Sequence, residues 1–257
     1  MSEEPISVEE FTRAQCWFVR ERNVLAVRAQ LTPVYTDYYL HLMQHQLRYD
    51  PALDTMLKRL LAAMLLHASA RPWAETIAWT INLRAPRVNL FATTASLQKQ
   101  ITGRLFTEGV REPDRNLFYS QTTTNPGSEP HTSTLQVDGD DPLYWVEQYY
   151  TQSEQRPARA FELDDETFIL FAAQPDFDEA WFEDLDQDAV KNLESNEVCK
   201  LLETRHFQFH CGCSLEKILP ILGGWRKRPD ELFGDAEKIT VQCPRCAARY
   251  LISRDML

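Results

Sequence analysis

The first clear hydrophobic pattern in the chain is a period of two, which is typical of β-strands. Apolar and polar residues alternate over 16–20 and again over 24–31, on either side of a short polar stretch, so this region predicts a β-hairpin. The period then lengthens to that of a helix in two consecutive segments, begun by Pro33 and Pro51. Proline is favoured in the first turn of a helix, so two amphipathic helices are expected after the hairpin.

Beyond residue 74 the pattern returns to a period of two and predicts the central strands of a sheet. These strands are expected at 75–83, 87–94, 98–106, 116–122 and 131–137. A third proline-started helix follows at Pro142, and a closing hairpin is expected from 158–163 and 167–173. Residues 1–174 therefore predict an α+β N-terminal core domain.

The segment 175–205 predicts a helical linker between this core and a small C-terminal module. Apolar residues recur in it at helical spacing, at Phe177, Trp181, Leu185 and Leu193. Ser195 is a candidate cap for a further short helix, whose apolar residues would be Val198, Leu201 and Leu202. The segment predicts either a marginally stable linker or an ordinary solvated pair of acidic helices.

Charge is concentrated in and just before this linker. Residues 162–188 hold eleven acidic side chains and no Lys or Arg, whereas the whole chain has 27 basic and 38 acidic residues. The rest of the chain is therefore balanced, and the local run of like charge disfavours helix stability. It also disfavours nucleic acid as a partner, because phosphates are repelled by it.

The 257-residue composition is that of an ordinary globular protein, with 44% hydrophobic and 25% charged residues. No apolar run has the length of a membrane span, and the acidic residues 1–5 do not resemble a signal peptide. The expectation is a cytoplasmic protein with no membrane partner. In a reducing compartment, clustered cysteines indicate metal ligands or redox thiols rather than structural disulfides.

Four of the six cysteines lie in the predicted module, 206–257, as two close pairs separated by 29 residues. The first pair is Cys211-Gly-Cys213 and the second is Cys243-Pro-Arg-Cys246. Zinc prefers four ligands in a tetrahedron, and thiolate is its favoured donor in closed sites. The spacing therefore predicts that these four cysteines bind one zinc ion in the reduced protein. The ion would either only hold the module together or also serve a redox function.

Two segments resemble the C-terminal module of the 33 kDa heat-shock chaperonin family. They are residues 206–217, which contain the Cys-x-Cys pair, and residues 239–252, which contain the Cys-x-x-Cys pair. The segment Ile101-Thr-Gly-Arg-Leu resembles the family's N-terminal core more weakly. The family comprises bacterial, cytoplasmic, redox-regulated holdase chaperones. The resemblance implies ATP-independent binding of unfolding client proteins under oxidative stress, zinc ligation and redox sensing by the four cysteines, and a possible homodimer of the oxidised form.

The resemblance also implies how the switch operates. The reduced, zinc-bound form would be inactive. Oxidation to the disulfides Cys211–Cys213 and Cys243–Cys246 would release zinc, unfold the module and free the linker. No catalytic residue is assigned, and the protein is not expected to be an enzyme.

Three other functions remain open from the residues alone. The first is a related zinc-ribbon protein without a redox switch, and the second is a thiol–disulfide oxidoreductase that uses Cys243 and Cys246. The third is a nucleic-acid-binding ribbon. Cys16 and Cys199 are interpreted as small hydrophobic residues, and His206 and His210 as side chains that do not bind the metal. His41 and His45, four residues apart, are interpreted as surface residues of a helix.

Overall fold

The computed structural model describes residues 10–124 and 127–257. Within these residues the chain forms a ten-stranded sheet, helices on both of its faces, and a small two-stranded sheet near the C-terminus. The strands are β1 Thr12–Val19, β2 Val24–Gln30, β3 Thr76–Leu83, β4 Val88–Ala95, β5 Gln100–Phe106, β6 Leu117–Thr123, β7 His131–Gln136, β8 Ala158–Glu162, β9 Thr167–Ala173, β10 Cys199–Phe209, β11 Lys238–Gln242 and β12 Arg249–Ser253. The helices are α1 Thr32–Gln44, α2 Pro51–Ser69, α3 Pro142–Tyr149, α4 Glu179–Glu183, α5 Gln187–Lys191, α6 Leu193–Asn196, α7 Leu215–Ile218 and α8 Pro229–Phe233.

These elements confirm the predicted α+β core. Each strand and helix predicted before residue 174 is present, with bounds that differ by a few residues at most. Aspartates cap two of the proline-started helices, since the Asp50 side chain accepts from the Ala52 N–H at 2.9 Å and that of Asp141 from the Leu143 N–H at 3.0 Å. The acidic residues 1–5 lie outside the described residues. No described helix is both long enough and apolar enough to cross a membrane.

The large sheet has the strand order β7-β6-β3-β4-β5-β10-β1-β2-β9-β8, so β10 joins two groups of strands. It pairs with β1 in the antiparallel sense, so that Phe207 lies opposite Thr12 at one end and Cys199 lies opposite Val19 at the other. Its pairing with β5 is parallel and limited to Gln208 with Gln100 and Phe209 with Ile101. The segment that leads to the cysteine module is therefore part of the sheet.

One face of the sheet is covered by α1, α2 and α3, which enclose the main hydrophobic core. Helix α2 packs on β4 and β5, and its Leu61 and Leu57 side chains lie next to Gly103 of β5. A Cβ atom at position 103 would lie 2.6 Å from the Phe91 carbonyl oxygen and 3.2 Å from a Leu61 methyl group. Residue 103 has no room for a side chain, so glycine is required where β5 packs between β4 and α2.

The opposite face, formed by β1, β2 and β9, is covered by the linker. A second hydrophobic cluster forms there, in which the buried linker residues are Phe182, Leu185, Val190 and Leu193. The linker is helical, as predicted, but its three helices have only four or five residues each. Its apolar side chains form one cluster with those of the sheet.

The helix predicted after Ser195 is wrong, because Val198 immediately precedes β10 and Leu201 and Leu202 belong to that strand. All three are about half exposed. The edge of β1 supplies a row of backbone partners, and pairing with it outweighs the weak local helical pattern. Strand β10 is further held by Arg205, which is 2% exposed and donates to the Ala68 carbonyl at 2.6 Å. Since β10 continues past residue 205, the predicted boundary between linker and module lies within a strand, and the division into domains stays a prediction.

Candidate metal centre

The first cysteine pair directly follows the end of β10. The His210 N–H donates to the Ile101 carbonyl at 2.9 Å, and the chain then leaves the sheet. Gly212, between the two cysteines, has φ +67°, a left-handed conformation that glycine adopts without steric cost. The turn brings Cys211 and Cys213 to the same region in spite of their short separation.

The second pair lies in the turn between β11 and β12. The Cys243 N–H donates to the Ala248 carbonyl at 2.8 Å, and the Ala247 N–H donates to the Cys243 carbonyl at 2.9 Å. These bonds close a tight knuckle in which Cys246 points to the same side as Cys243. The knuckle ends a β-hairpin in which Gln242 pairs with Arg249 next to the turn and Lys238 pairs with Ser253 at the far end.

The four sulfur atoms converge, all within 4.8 Å of one another. Sγ of Cys211 is 3.7 Å from Sγ of Cys243, and Sγ of Cys213 is 3.5 Å from Sγ of Cys246. A tetrahedral zinc site with Zn–S bonds of about 2.3 Å requires sulfurs about 3.8 Å apart. Among the described residues this is the one group of three or more potential ligands that lie this close together, and it can hold a metal ion.

The electrostatics of the cluster also fit a cation. Hydrogen bonds with Cys211 and Cys246 lower the pKa of the Cys243 thiol, whereas the hydrogen bond that Cys211 makes with Cys243 raises the pKa of Cys211. One thiolate is thus stabilised by its neighbours, and its charge opposes ionisation of the others. A divalent cation would stabilise all four thiolates at once.

Tyr250 of β12 adds a polar contact, with its hydroxyl 3.1 Å from Sγ of Cys213. Burial, together with this hydrogen bond, raises the pKa of the Tyr250 hydroxyl, which therefore remains a donor. Cys243 and Cys246 are 3% and 1% exposed, whereas Cys211 and Cys213 are half-buried. The first pair is therefore the side of the site that solvent reaches more easily.

The core contacts the knuckle through two side chains that the sequence did not single out for this role. Arg104 of β5 donates to the Cys243 carbonyl at 2.8 Å, and Nε2 of His41 in α1 donates to the Cys246 carbonyl at 2.8 Å. His45 accepts from the Arg249 N–H at 3.2 Å. The interpretation of His41 and His45 as surface helix residues therefore needs correction, since both are half-buried between α1 and the module. The contacts join residues more than 130 positions apart, so no local sequence signal could have found them.

The remaining two cysteines lie in the core, Cys16 buried and Cys199 half-buried. Cys16 belongs to the main hydrophobic cluster, and burial raises the pKa of its thiol to about 11. Cys199 packs against the cluster under the linker. Neither residue joins the sulfur cluster, nor do His206 and His210.

The fold and the site together define a class: a mixed α/β core that carries, at the end of a strand in its sheet, a small module with four converging cysteines. The model of the family described as Hsp33 protein matches residues 162–253. The chain is also similar to the crystal structure of the 33 kDa chaperonin (heat shock protein 33 homolog) from Thermotoga maritima. The TM-score is 0.71 and the identity 16%, over 96% of each chain. No curated protein matches the sequence.

The two findings confirm the resemblance to the 33 kDa heat-shock chaperonin family that the cysteine motif indicated. The sequence signature covers the linker, β10 and most of the module. The shared fold covers nearly the whole chain at low sequence identity.

Proposed function

We propose that this protein is a redox-regulated, ATP-independent holdase that binds unfolding proteins under oxidative stress. The observation that carries the proposal is the convergence of four cysteine sulfurs within 4.8 Å in a module attached to a core whose apolar face is covered by the adjacent linker. The partners are unfolded client proteins. A bacterial cytoplasmic location and a homodimer of the oxidised form remain predictions.

In the reduced protein, Cys211, Cys213, Cys243 and Cys246 would hold one zinc ion as thiolates. The ion would supply the cross-link between the two segments that carry the ligands. The module depends on such a cross-link, because its own hydrophobic cluster has only three buried residues, Ile218, Phe233 and Ile252. Small modules with so little apolar burial usually need a metal or disulfides to fold.

Oxidation removes the ligands. For each disulfide, two thiolates give two electrons to one peroxide molecule, two protons are taken up, and two water molecules form. We propose the pairs Cys211–Cys213 and Cys243–Cys246, because the loop closed within each segment is far shorter than a loop between segments. The sulfur contacts of Cys211 with Cys243 at 3.7 Å and of Cys213 with Cys246 at 3.5 Å join the two segments, so the proposed pairing rests on loop length and not on these distances. Disulfide sulfurs no longer offer the thiolate charge that holds the metal.

Loss of the cross-link would unfold the module and free the linker. The linker covers Val24, Ile169 and Phe171 of the sheet and contributes Trp181 and Phe182 to the same cluster. Its release would expose apolar surface, which is what unfolding proteins bind. The linker's acidic side chains would keep such complexes soluble.

The test is light scattering from a client protein that unfolds on heating. The chain is added either reduced and zinc-loaded or pretreated with peroxide, and zinc release and disulfide positions are followed in parallel. The proposal expects suppression of scattering only by the oxidised form, with disulfides mapped to 211–213 and 243–246. Suppression by neither form would favour the zinc ribbon without a redox switch, and equal suppression by both would contradict redox control.

The alternative of a thiol–disulfide oxidoreductase requires an accessible, reactive cysteine in the Cys-x-x-Cys pair. Cys243 and Cys246 are 3% and 1% exposed, and their carbonyls are bound by Arg104 and His41. This burial favours a structural and metal-binding role for the pair. Turnover of a small disulfide substrate by the reduced chain would contradict the proposal.

A further inference from the structure

One strand of the core, β5, contacts both halves of the cysteine cluster. The Ile101 carbonyl accepts from the N–H of His210, the residue that precedes Cys211, at 2.9 Å. Three residues further along β5, Arg104 donates to the Cys243 carbonyl at 2.8 Å. Both ligand pairs are therefore contacted by the same strand, which packs closely on α2 at Gly103.

The surroundings of Arg104 are unusual for a charged side chain. The residue is 9% exposed, and within residues 10–124 and 127–257 its guanidinium forms no ion pair with a carboxylate. One nitrogen binds the Cys243 carbonyl, another donates to the Gln242 side chain at 3.2 Å, and the group lies 4.0 Å from the centre of the Phe106 ring. A buried cation of this kind is costly unless negative charge lies nearby.

The cysteine cluster can supply that charge. Four thiolates around one divalent ion carry a net charge of about −2. Arg104 binds the backbone carbonyl of Cys243, one of the four proposed ligand residues. The guanidinium is thus placed to balance the reduced site. It would lose this counter-charge when the thiolates become disulfides.

We propose that Arg104 is a positioning residue that makes metal retention by the four cysteines depend on the folded core sheet. The inference rests on the metal site of the proposed function. Through its hydrogen bonds to the Cys243 carbonyl and the Gln242 side chain, Arg104 holds the second ligand pair against β5. Coupling of this kind is reciprocal. Heating that loosens β5 weakens the metal site, and oxidation of the site weakens the docking of the module.

The experiment compares zinc release with core unfolding in the full-length reduced, zinc-loaded chain. Zinc is followed with a chromogenic chelator and the core by near-ultraviolet circular dichroism, to which the buried Trp79 contributes. The variants are Arg104→Gln, which removes the charge but keeps a donor, and Arg104→Lys, which keeps the charge but loses the planar fork. The control is Arg84→Gln, whose guanidinium is exposed and lies 3.5 Å from Glu112 at the surface.

In the wild type, zinc release on heating is expected to coincide with loss of the core signal. In Arg104→Gln, release to the chelator at a fixed temperature below unfolding should be about tenfold faster, because a hydrogen bond from a charged group is lost. It should also begin at a lower temperature than core unfolding. Arg104→Lys should be intermediate and Arg84→Gln unchanged. Equal release from Arg104→Gln and the wild type would overturn the inference.

Two further measurements keep the test decisive. If Arg104→Gln does not fold, Gln242→Ala serves instead, because Gln242 is exposed and its side chain accepts a hydrogen bond from Arg104. About threefold faster zinc release is expected, because only this weaker hydrogen bond is lost. Hydrogen exchange over 243–249 reports docking without reference to the metal, and unchanged exchange in these variants would overturn the docking role of Arg104. A wild-type chain that binds no zinc would contradict the proposed metal site, and hydrogen exchange would still decide whether Arg104 docks the module.

Discussion

The linker and the cysteine module follow one another in the chain, yet they are held in place by different forces. The linker buries Phe182, Leu185, Val190 and Leu193 against the sheet, in a cluster of ten buried residues. In the module, one cluster has three buried residues, and the other consists of Cys243, Cys246 and Ala248. The linker is therefore stabilised by apolar burial, whereas the module, under the proposed function, would depend largely on its metal ligands.

Under the proposed function, this difference determines where an oxidant would act. Apolar burial does not respond to redox state, so peroxide has no direct effect on the linker. Strand β10 lies between linker and module, and it is held by its ladder with β1 and by Arg205. A signal that starts at the cysteines must therefore loosen β10 before it reaches the linker, and the two regions can be separated by experiment.

The linker's acidic residues also have a specific structural role. Asp178 and Asp186 cap α4 and α5, because their side chains accept from the N–H groups of Trp181 at 3.1 Å and Ala189 at 2.8 Å. Asp178 also lies 2.7 Å from Arg22 of the core. Negative charge at a helix N-terminus is favourable, which offsets part of the repulsion within the acidic run.

The largest effect is expected from removal of one metal ligand by Cys243→Ser. Zinc binding to small thiolate sites contributes on the order of 10 kcal/mol to folding, so the module should lose hydrogen-exchange protection over 238–253. The near-ultraviolet signal of the core should remain. Exchange in the linker, over 179–196, should increase by a smaller amount because its release passes through β10.

The matched control for this variant is Cys199→Ser, a half-buried cysteine outside the cluster. It should retain zinc and the protection of the module. If Cys243→Ser unfolds the module and leaves linker exchange unchanged, the two regions are not coupled through β10, and release of the linker by oxidation is contradicted.

The second largest effect is expected from a substitution that weakens the linker and leaves the cysteine module intact. Phe182 is 4% exposed, and replacement of a buried phenylalanine by alanine typically costs about 3–5 kcal/mol. Phe182→Ala should speed hydrogen exchange over 179–196 and allow the reduced, zinc-loaded chain to suppress client aggregation. Zinc content should be unchanged, because the side chain does not belong to the module.

Ile221→Ala is the control for this prediction, since its side chain is 78% exposed within the module. It should alter neither linker exchange nor client binding. Fast linker exchange in Phe182→Ala without any holdase activity would show that the sheet face under the linker does not bind clients.

Local patterns predicted most of the molecule, and the exceptions have a common cause. The early hairpin, the proline-started helices and the cysteine pairs were visible because each is encoded within a few neighbouring residues. Strand β10 was predicted wrongly as a helix around Leu201, since the free edge of β1 decides its conformation. Arg104 and His41 were missed because their partners lie 139 and 205 positions away in the sequence.

The third effect is smaller and concerns the core, against which both the linker and the module pack. His67 of α2 is completely buried among aromatic rings, with its Nδ1 3.1 Å from the hydroxyl of Tyr150. Burial lowers the pKa of His67 well below its usual 6.5, and the nearby charges of Arg71 and Arg156 lower it further. The folded core therefore holds a neutral imidazole, whereas the unfolded chain takes up a proton near pH 6.5.

The sign of the pH dependence follows from this difference. The contribution of His67 is complete above pH 6.5 and is lost as the pH falls below it, by about 1.4 kcal/mol per pH unit. Urea unfolding at pH 7.5, 6.5 and 5.5 should show this slope in the wild type and a shallower one in His67→Gln, while the exposed His131→Gln should keep the wild-type slope. Because the linker and module are the same in all three proteins, the difference in slope belongs to the core. Equal slopes in the wild type and His67→Gln would mean that this imidazole does not control core stability in acid.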